Sequence, residues 1–129
     1  MKNIENNNII TLFGIPNCDT VKKARTWLDE NSIPFIFHNF KKDGLSKSDV
    51  ELWLTKIDLT ILINRKGTTW RALSEEQKMS ADDLQSAISL MIENPSIIKR
   101  PVLQIISKQD LQVSVGFKPE QFTHIFNAS

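Results

Sequence analysis

The sequence predicts an α/β fold. A strand–helix–strand unit opens the chain, a run of helices fills the middle, and two strands with a last helix close it. Three observations carry this. Ile9-Ile10-Thr11-Leu12-Phe13 is a β-branched and aromatic run stopped by Gly14 and Pro16, the mark of a buried strand. From Cys18 onward the apolar residues switch to helical spacing, at Val21, Ala24, Trp27 and Leu28, with Lys22, Lys23 and Arg25 between them. Near the end, Val102–Ile106 and an alternating Leu111–Phe117 flank a short turn at Lys108 to Asp110, the pattern of an antiparallel pair.

The elements follow in order. Asn17 is a favourable cap for the first helix, which should stop near Asn31 ahead of Pro34. Phe35 to Phe40 reads as the second strand, and strand, helix, strand in succession implies a right-handed parallel crossover. Lys41 to Leu45, around Asp43-Gly44, reads as a loop. Ser46 with Asp49 has the capping-box form and opens a helix whose stripe is Val50, Trp53, Leu54 and Ile57. Asp58 to Asn64 is expected as a short helix, followed by a polar loop, Arg65 to Thr69, ending at Trp70. Ser74 and Ser80 read as further caps. Ser80 with Asp83 should open the helix bearing Leu84, Ala87, Ile88, Met91 and Ile92, which Asn94-Pro95 ends. Lys118-Pro119 starts the last helix, with Pro119 near its first position and Phe122, Ile125 and Phe126 on its apolar face. The expected organisation is a polar arm at 1–8 and a single domain at 9–129, with a helical insertion at about 46–94.

Composition narrows the function classes. The 129 residues suit one domain. Sixteen Lys and Arg against fifteen Asp and Glu leave a net charge of +1, which excludes bulk nucleic-acid binding as the design. A single cysteine, Cys18, excludes an internal disulfide and a cysteine-rich zinc site, and two histidines, His38 and His124, argue against any metal centre. The polar start has no signal-peptide core and no apolar run is long enough to span a bilayer. The expectation is a cytoplasmic protein without membrane partners, in which Cys18 rests as a free thiol.

A lone cysteine is ordinarily a small buried hydrophobe. The position of Cys18, after a strand and loop at the start of a helix, changes that reading. Unpaired N–H groups at a helix start favour an anion, and so favour thiolate over thiol. Lys22 and Lys23 lie within about a turn and act the same way, while Asp19 opposes them. Thr20 either offers its hydroxyl to the thiolate or caps the helix; the sequence leaves both open.

Gly14-Ile15-Pro16-Asn17-Cys18-Asp19-Thr20-Val21-Lys22-Lys23-Ala24-Arg25, followed by Trp27-Leu28, resembles the active-site segment of the ArsC/Spx/YffB family. Asn64-Arg65-Lys66-Gly67-Thr68-Thr69-Trp70 and Pro95-Ser96-Ile97-Ile98-Lys99-Arg100-Pro101 resemble its second and third signatures. The resemblance runs from about Ile10 to Phe122 and is greatest to the YffB branch. It implies a thioredoxin-like fold, a βαβ…ββα mixed sheet with an inserted helical subdomain. It implies that Cys18 is the nucleophile and that Pro101 is a cis-proline facing it. It implies that Arg65 and Arg100 contact an anion, with smaller contributions from Lys22, Thr20 and Lys99. An arginine fork suits the carboxylates of glutathione as well as an oxyanion.

Departures from the family pattern sharpen the functional expectation. Spx proteins have a second cysteine where this chain has Val21, so Cys18 must be resolved by an external thiol, for which glutathione is the expected co-substrate. Arsenate reductases carry an arginine near the position of Phe117 or Lys118, and a histidine where this chain has Gly14. The expected activity is therefore a glutathione-dependent thiol-disulfide oxidoreductase with no permanently bound cofactor, partnered by a glutathionylated substrate and by glutaredoxin. Two alternatives stand beside it: an arsenate reductase coupled to glutathione and glutaredoxin, and an Spx-like regulator that binds RNA polymerase. Trp27 and Trp53 are read as core, Trp70 as either covering the site or packing under it, and His38 and His124 as without a catalytic role.

Overall fold

The structure, a computed structural model, describes residues 8–108 and 110–126. All of the 1–8 arm except Asn8 lies outside that range. The chain forms two compact units, one built from the residues up to Asn39 and from Arg100 onward, the other from Phe40–Lys99.

The first unit is a four-stranded mixed sheet in the order β2-β1-β3-β4. It contains β1 (Ile9–Gly14), α1 (Asp19–Glu30), β2 (Ile36–Asn39), β3 (Val102–Ile106), β4 (Leu111–Val115) and α8 (Pro119–Phe126). β1 and β2 are parallel, with Leu12 opposite Phe37, as the crossover through α1 requires. β1–β3 and β3–β4 are antiparallel, with Leu12 opposite Leu103 and Leu103 opposite Ser114. Alternation along the strands sends Ile10 and Leu12 of β1 and Leu103 and Ile105 of β3 to one face. There they join Ala24 and Leu28 of α1 and Phe122 and Phe126 of α8 in one core. Trp27 is a partly buried member of this core, edge-on to Phe122 with centroids 5.5 Å apart. Burying a side chain such as Leu12 or Leu28, both without exposed surface, stabilises the unit by about 1.5–3 kcal/mol each. This is the thioredoxin-like plan that the resemblance implied.

The second unit contains α2 (Phe40–Asp43), α3 (Lys47–Leu54), α4 (Leu59–Leu62), α5 (Thr68–Arg71), α6 (Glu75–Ser80), α7 (Leu84–Glu93) and a 3₁₀ turn at Pro95–Ile97. Side-chain caps start three of these helices, α3, α6 and α7. The Ser46 hydroxyl accepts from Asp49 N–H at 3.1 Å, and Ser74 with Gln77 forms a complete capping box. The segment after α4 is clasped to the segment before β3: Asn64 N–H donates to Ile97 O, and Lys99 N–H to Leu62 O, each at 2.8 Å. Trp53 and Trp70 are buried, Trp53 fully so.

Several boundaries differ from the sequence reading. The second strand is Ile36–Asn39, and Phe40 starts a helical turn in place of the expected loop. Phe40 is buried with its ring 6.4 Å from that of Trp53, and Gly44 N–H closes the turn onto Phe40 O at 3.1 Å. Burial of one aromatic overrides the local Asp43-Gly44 turn signal. Residues Thr68–Arg71 are likewise a helical turn, not the end of a loop, as Trp70 is drawn inward. Ser80 does not cap α7: its hydroxyl donates to Gln77 O at 2.6 Å and finishes α6. Asp83 is the cap, accepting from Ser86 N–H at 3.0 Å. No described helix is long and apolar enough to cross a membrane.

Candidate active site

Cys18 owes its position to a tight turn. Cys18 N–H donates to Ile15 O at 3.2 Å, which leaves Pro16 and Asn17 as the central pair, with the φ angle of Pro16 fixed by its ring. Asn17 is thus spent on the turn and is not the helix cap. The cap is Cys18 itself, extended at φ −90° and ψ 126°, whose carbonyl accepts the first helical bond from Lys22 N–H at 2.9 Å. Close packing holds this turn against the strand. Val21 has no exposed surface, and a β-carbon added to Gly14 would lie 2.8 Å from one of its methyls. Gly14 is therefore required by the approach of α1 to the end of β1.

The sheet register brings the second component to the same end. β1 and β3 are antiparallel, with Phe13 opposite Val102, so the loop leaving β1 and the residues entering β3 lie side by side. Those residues are Arg100 and Pro101. The Arg100–Pro101 bond is cis, and Pro101 is buried. Pro101 O accepts from Gly116 N–H at 2.9 Å, and Gly116, at φ +78°, adopts the left-handed conformation that makes this return possible at the end of β4.

Electrostatics at the sulfur follow from these neighbours. Partial burial pushes the Cys18 thiol up. The backbone N–H of Val21, the guanidinium of Arg100 through a hydrogen bond and its charge, and the backbone N–H of Thr20 outweigh it, so the thiol ionises below its ordinary value. The sulfur closes no ordinary cap hydrogen bond, but Thr20 and Val21 are the second and third helical positions, whose N–H groups have no intrahelical acceptor.

The expected site residues can now be placed. Cys18, Thr20, Arg100 and Pro101 come together at one end of the sheet. Thr20 contributes through its backbone N–H, one of the helix-start groups expected to favour the thiolate. Lys22 and Lys23 are exposed along the first turns of α1, and neither is among the groups that shift the thiol, contrary to the expectation from sequence; Arg100 supplies the charge. Arg65 belongs to the helical unit. There Asn64 folds the chain back, its side-chain oxygen accepting from Lys66 N–H at 3.3 Å and its carbonyl from Gly67 N–H at 3.2 Å. The Arg65 guanidinium lies over the Trp70 ring, 4.7 Å from its centroid, so Trp70 packs beneath an arginine. Lys99 is an exposed side chain on a clasped backbone. Among the described residues, no group of three or more His, Cys, Asp or Glu side chains is placed to hold a metal ion.

Comparison with known proteins gives a consistent family. The ArsC family model matches residues 13–125. A solved YffB protein is 43% identical with a TM-score of 0.77, over 88% of this chain and 96% of that one. A solved arsenate reductase (ArsC) related protein from Brucella melitensis is 42% identical with a TM-score of 0.66, over 92% of this chain and 94% of that one. The global transcriptional regulator Spx 2 of Lactococcus lactis is 30% identical over 115 residues, covering 88% of this chain and 83% of the relative.

Proposed function

The chain belongs to the ArsC family, and from that premise we propose that it is a glutathione-dependent thiol-disulfide reductase with Cys18 as nucleophile. The observation that carries this reading is the placement of Arg100 and two free helix N–H groups around a partly exposed sulfur, which lowers its pKa. A thiolate available at neutral pH is the first requirement for disulfide exchange.

The Cys18 thiolate attacks the glutathione sulfur of a mixed disulfide. The S–S bond breaks, the substrate leaves as its thiolate and takes up a proton, and Cys18 is left bound to glutathione. The thiolate of a second glutathione attacks the glutathione sulfur of that adduct, releasing oxidised glutathione and the Cys18 thiolate. One glutathione is consumed as reductant and one disulfide is reduced. An external thiol fits the site because position 21, where a resolving cysteine would stand, is a buried Val21 packed on Gly14. Arg100 holds a carboxylate of glutathione and keeps the leaving and attacking sulfurs anionic. Lys22 adds point charge at the rim, and Pro101 shapes the wall opposite the sulfur. Arg65 is proposed as an anion contact of the helical unit.

Arsenate reduction is the second reading, favoured by the same Arg100 beside Cys18 and by the name of the Brucella relative. Against it, Phe117 is packed edge-on to Phe122 at 4.7 Å, near where the resemblance expects an arginine. The regulator reading rests on the Spx relative and predicts retention of RNA polymerase by a Cys18→Ala variant.

The test is reduction of the mixed disulfide of glutathione and 2-mercaptoethanol, with and without arsenate as competitor. Wild type should turn over and Cys18→Ser should be inactive while its circular dichroism is unchanged. Full activity of Cys18→Ser would overturn the mechanism, and arsenate-dependent consumption of glutathione without disulfide turnover would select the second reading.

A further inference from the structure

A recess lies within the sheet unit along α1, starting one turn beyond Cys18. Residues 22, 26 and 30 form one row along α1, spaced a helical turn apart, and Cys18 is the cap residue one turn before Lys22. Lys22, Thr26 and Glu30 of that row line an open groove of about 350 Å³, together with Lys23, Trp27, Phe117 and Pro119. The volume falls in the range of small-ligand sites. Its floor is apolar and firm: Phe117 and Trp27 both pack edge-on to the buried Phe122. Its charge is graded. Lys22 and Lys23, both exposed and neither in an ion pair among the described residues, stand at the end next to Cys18, and Glu30 stands at the far end.

We propose that this groove is the docking subsite for the polypeptide segment flanking the reacting cysteine of a protein substrate, and that it selects an acidic residue near that cysteine with an apolar residue beyond it. The inference rests on the thiol-disulfide reading above and adds the class of substrate. The chemistry is complementary at each step: a carboxylate meets the two lysines, an apolar side chain meets Trp27, Phe117 and Pro119, and Glu30 rejects a second acid. Lys22 is four helical residues from Cys18, about 6 Å along the axis, which an extended segment covers in about two residues. The selective acid therefore sits two positions from the substrate cysteine. The sulfur chemistry is unchanged; the groove holds the leaving half of the disulfide.

The experiment compares glutathionylated peptides with Glu two residues from the cysteine and Leu beyond it, placed on either side, with matched peptides carrying Lys in place of Glu. The small glutathione–mercaptoethanol disulfide is measured alongside. In one orientation kcat/KM should favour Glu about three- to fivefold, as expected for exposed charge pairs. Lys23→Glu should remove or reverse that preference and leave turnover of the small disulfide unchanged. Turnover of the small disulfide with no Glu-over-Lys preference in either orientation would overturn the subsite while leaving the reductase intact. A preference that persists in Lys23→Glu would overturn it too. Absence of any turnover of the small disulfide would remove the reductase reading and this inference with it.

Discussion

The sheet unit and the helical unit both bury aromatic side chains, but they are organised in different ways. In the sheet unit, order comes from long-range register: Leu12 opposite Leu103 and Phe13 opposite Val102 bring two loops from distant parts of the sequence to one end. In the helical unit, order comes mainly from local devices, the Ser46, Ser74 and Asp83 caps and the Asn64 turn, with one long-range clasp of Asn64 to Ile97. Register creates a place where backbone N–H groups, a guanidinium and a sulfur converge. Local capping satisfies its polar groups one helix at a time. The proposed chemistry therefore falls in the sheet unit, while Arg65 of the helical unit lies over the Trp70 ring.

This contrast can be broken most forcefully in the shared core of β1 and β3. Leu12→Ala removes a fully buried side chain and should cost about 2–5 kcal/mol by denaturant titration. Gly14→Ala forces a β-carbon against Val21 and should cost about 1–3 kcal/mol, with a change in Cys18 alkylation rate because the cap turn must shift. Arg100→Met should leave stability nearly unchanged and lower kcat/KM at neutral pH about 10- to 100-fold, the loss expected for one hydrogen bond to a charged group. Ser74→Ala deletes half of a capping box in the helical unit and should cost about 1 kcal/mol with no effect on the reactivity of Cys18.

Much of this was legible in the sequence, for identifiable reasons. β1 and α1 announce themselves by pattern, because a continuous β-branched and aromatic run gives way to helical spacing at Cys18. The hairpin of β3 and β4 is legible in the same way. The cap was misassigned, because Asn17 is an equally good turn residue and Pro16 commits it to the turn. α2 and α5 were missed since burial of Phe40 and Trp70, not any local signal, coils those segments. The Arg100–Cys18 pairing was not read from the sequence, where family resemblance gave Arg100 only as an anion contact and set Pro101 opposite Cys18; no pattern in a single sequence reveals an antiparallel register between residues so far apart. The groove was invisible for that reason too, as Lys23 and Phe117 meet only through the packing of α1 and α8 on the sheet.

The depressed thiol also makes stability depend on pH. A thiol whose folded value lies below its unfolded value stabilises the fold fully above the unfolded value, and that contribution is lost as pH falls through the folded value. The stability difference between wild type and Cys18→Ala should narrow on acidification accordingly. The most direct measurement is the pH titration of the Cys18 thiolate by its ultraviolet absorbance, in wild type and in Arg100→Met. The expected result is a wild-type midpoint below the ordinary thiol value of about 8.5, and a higher midpoint when the guanidinium is removed. A wild-type midpoint at or above that value, or one that Arg100→Met leaves in place, would contradict the central claim that the helix start and Arg100 together make Cys18 a nucleophile.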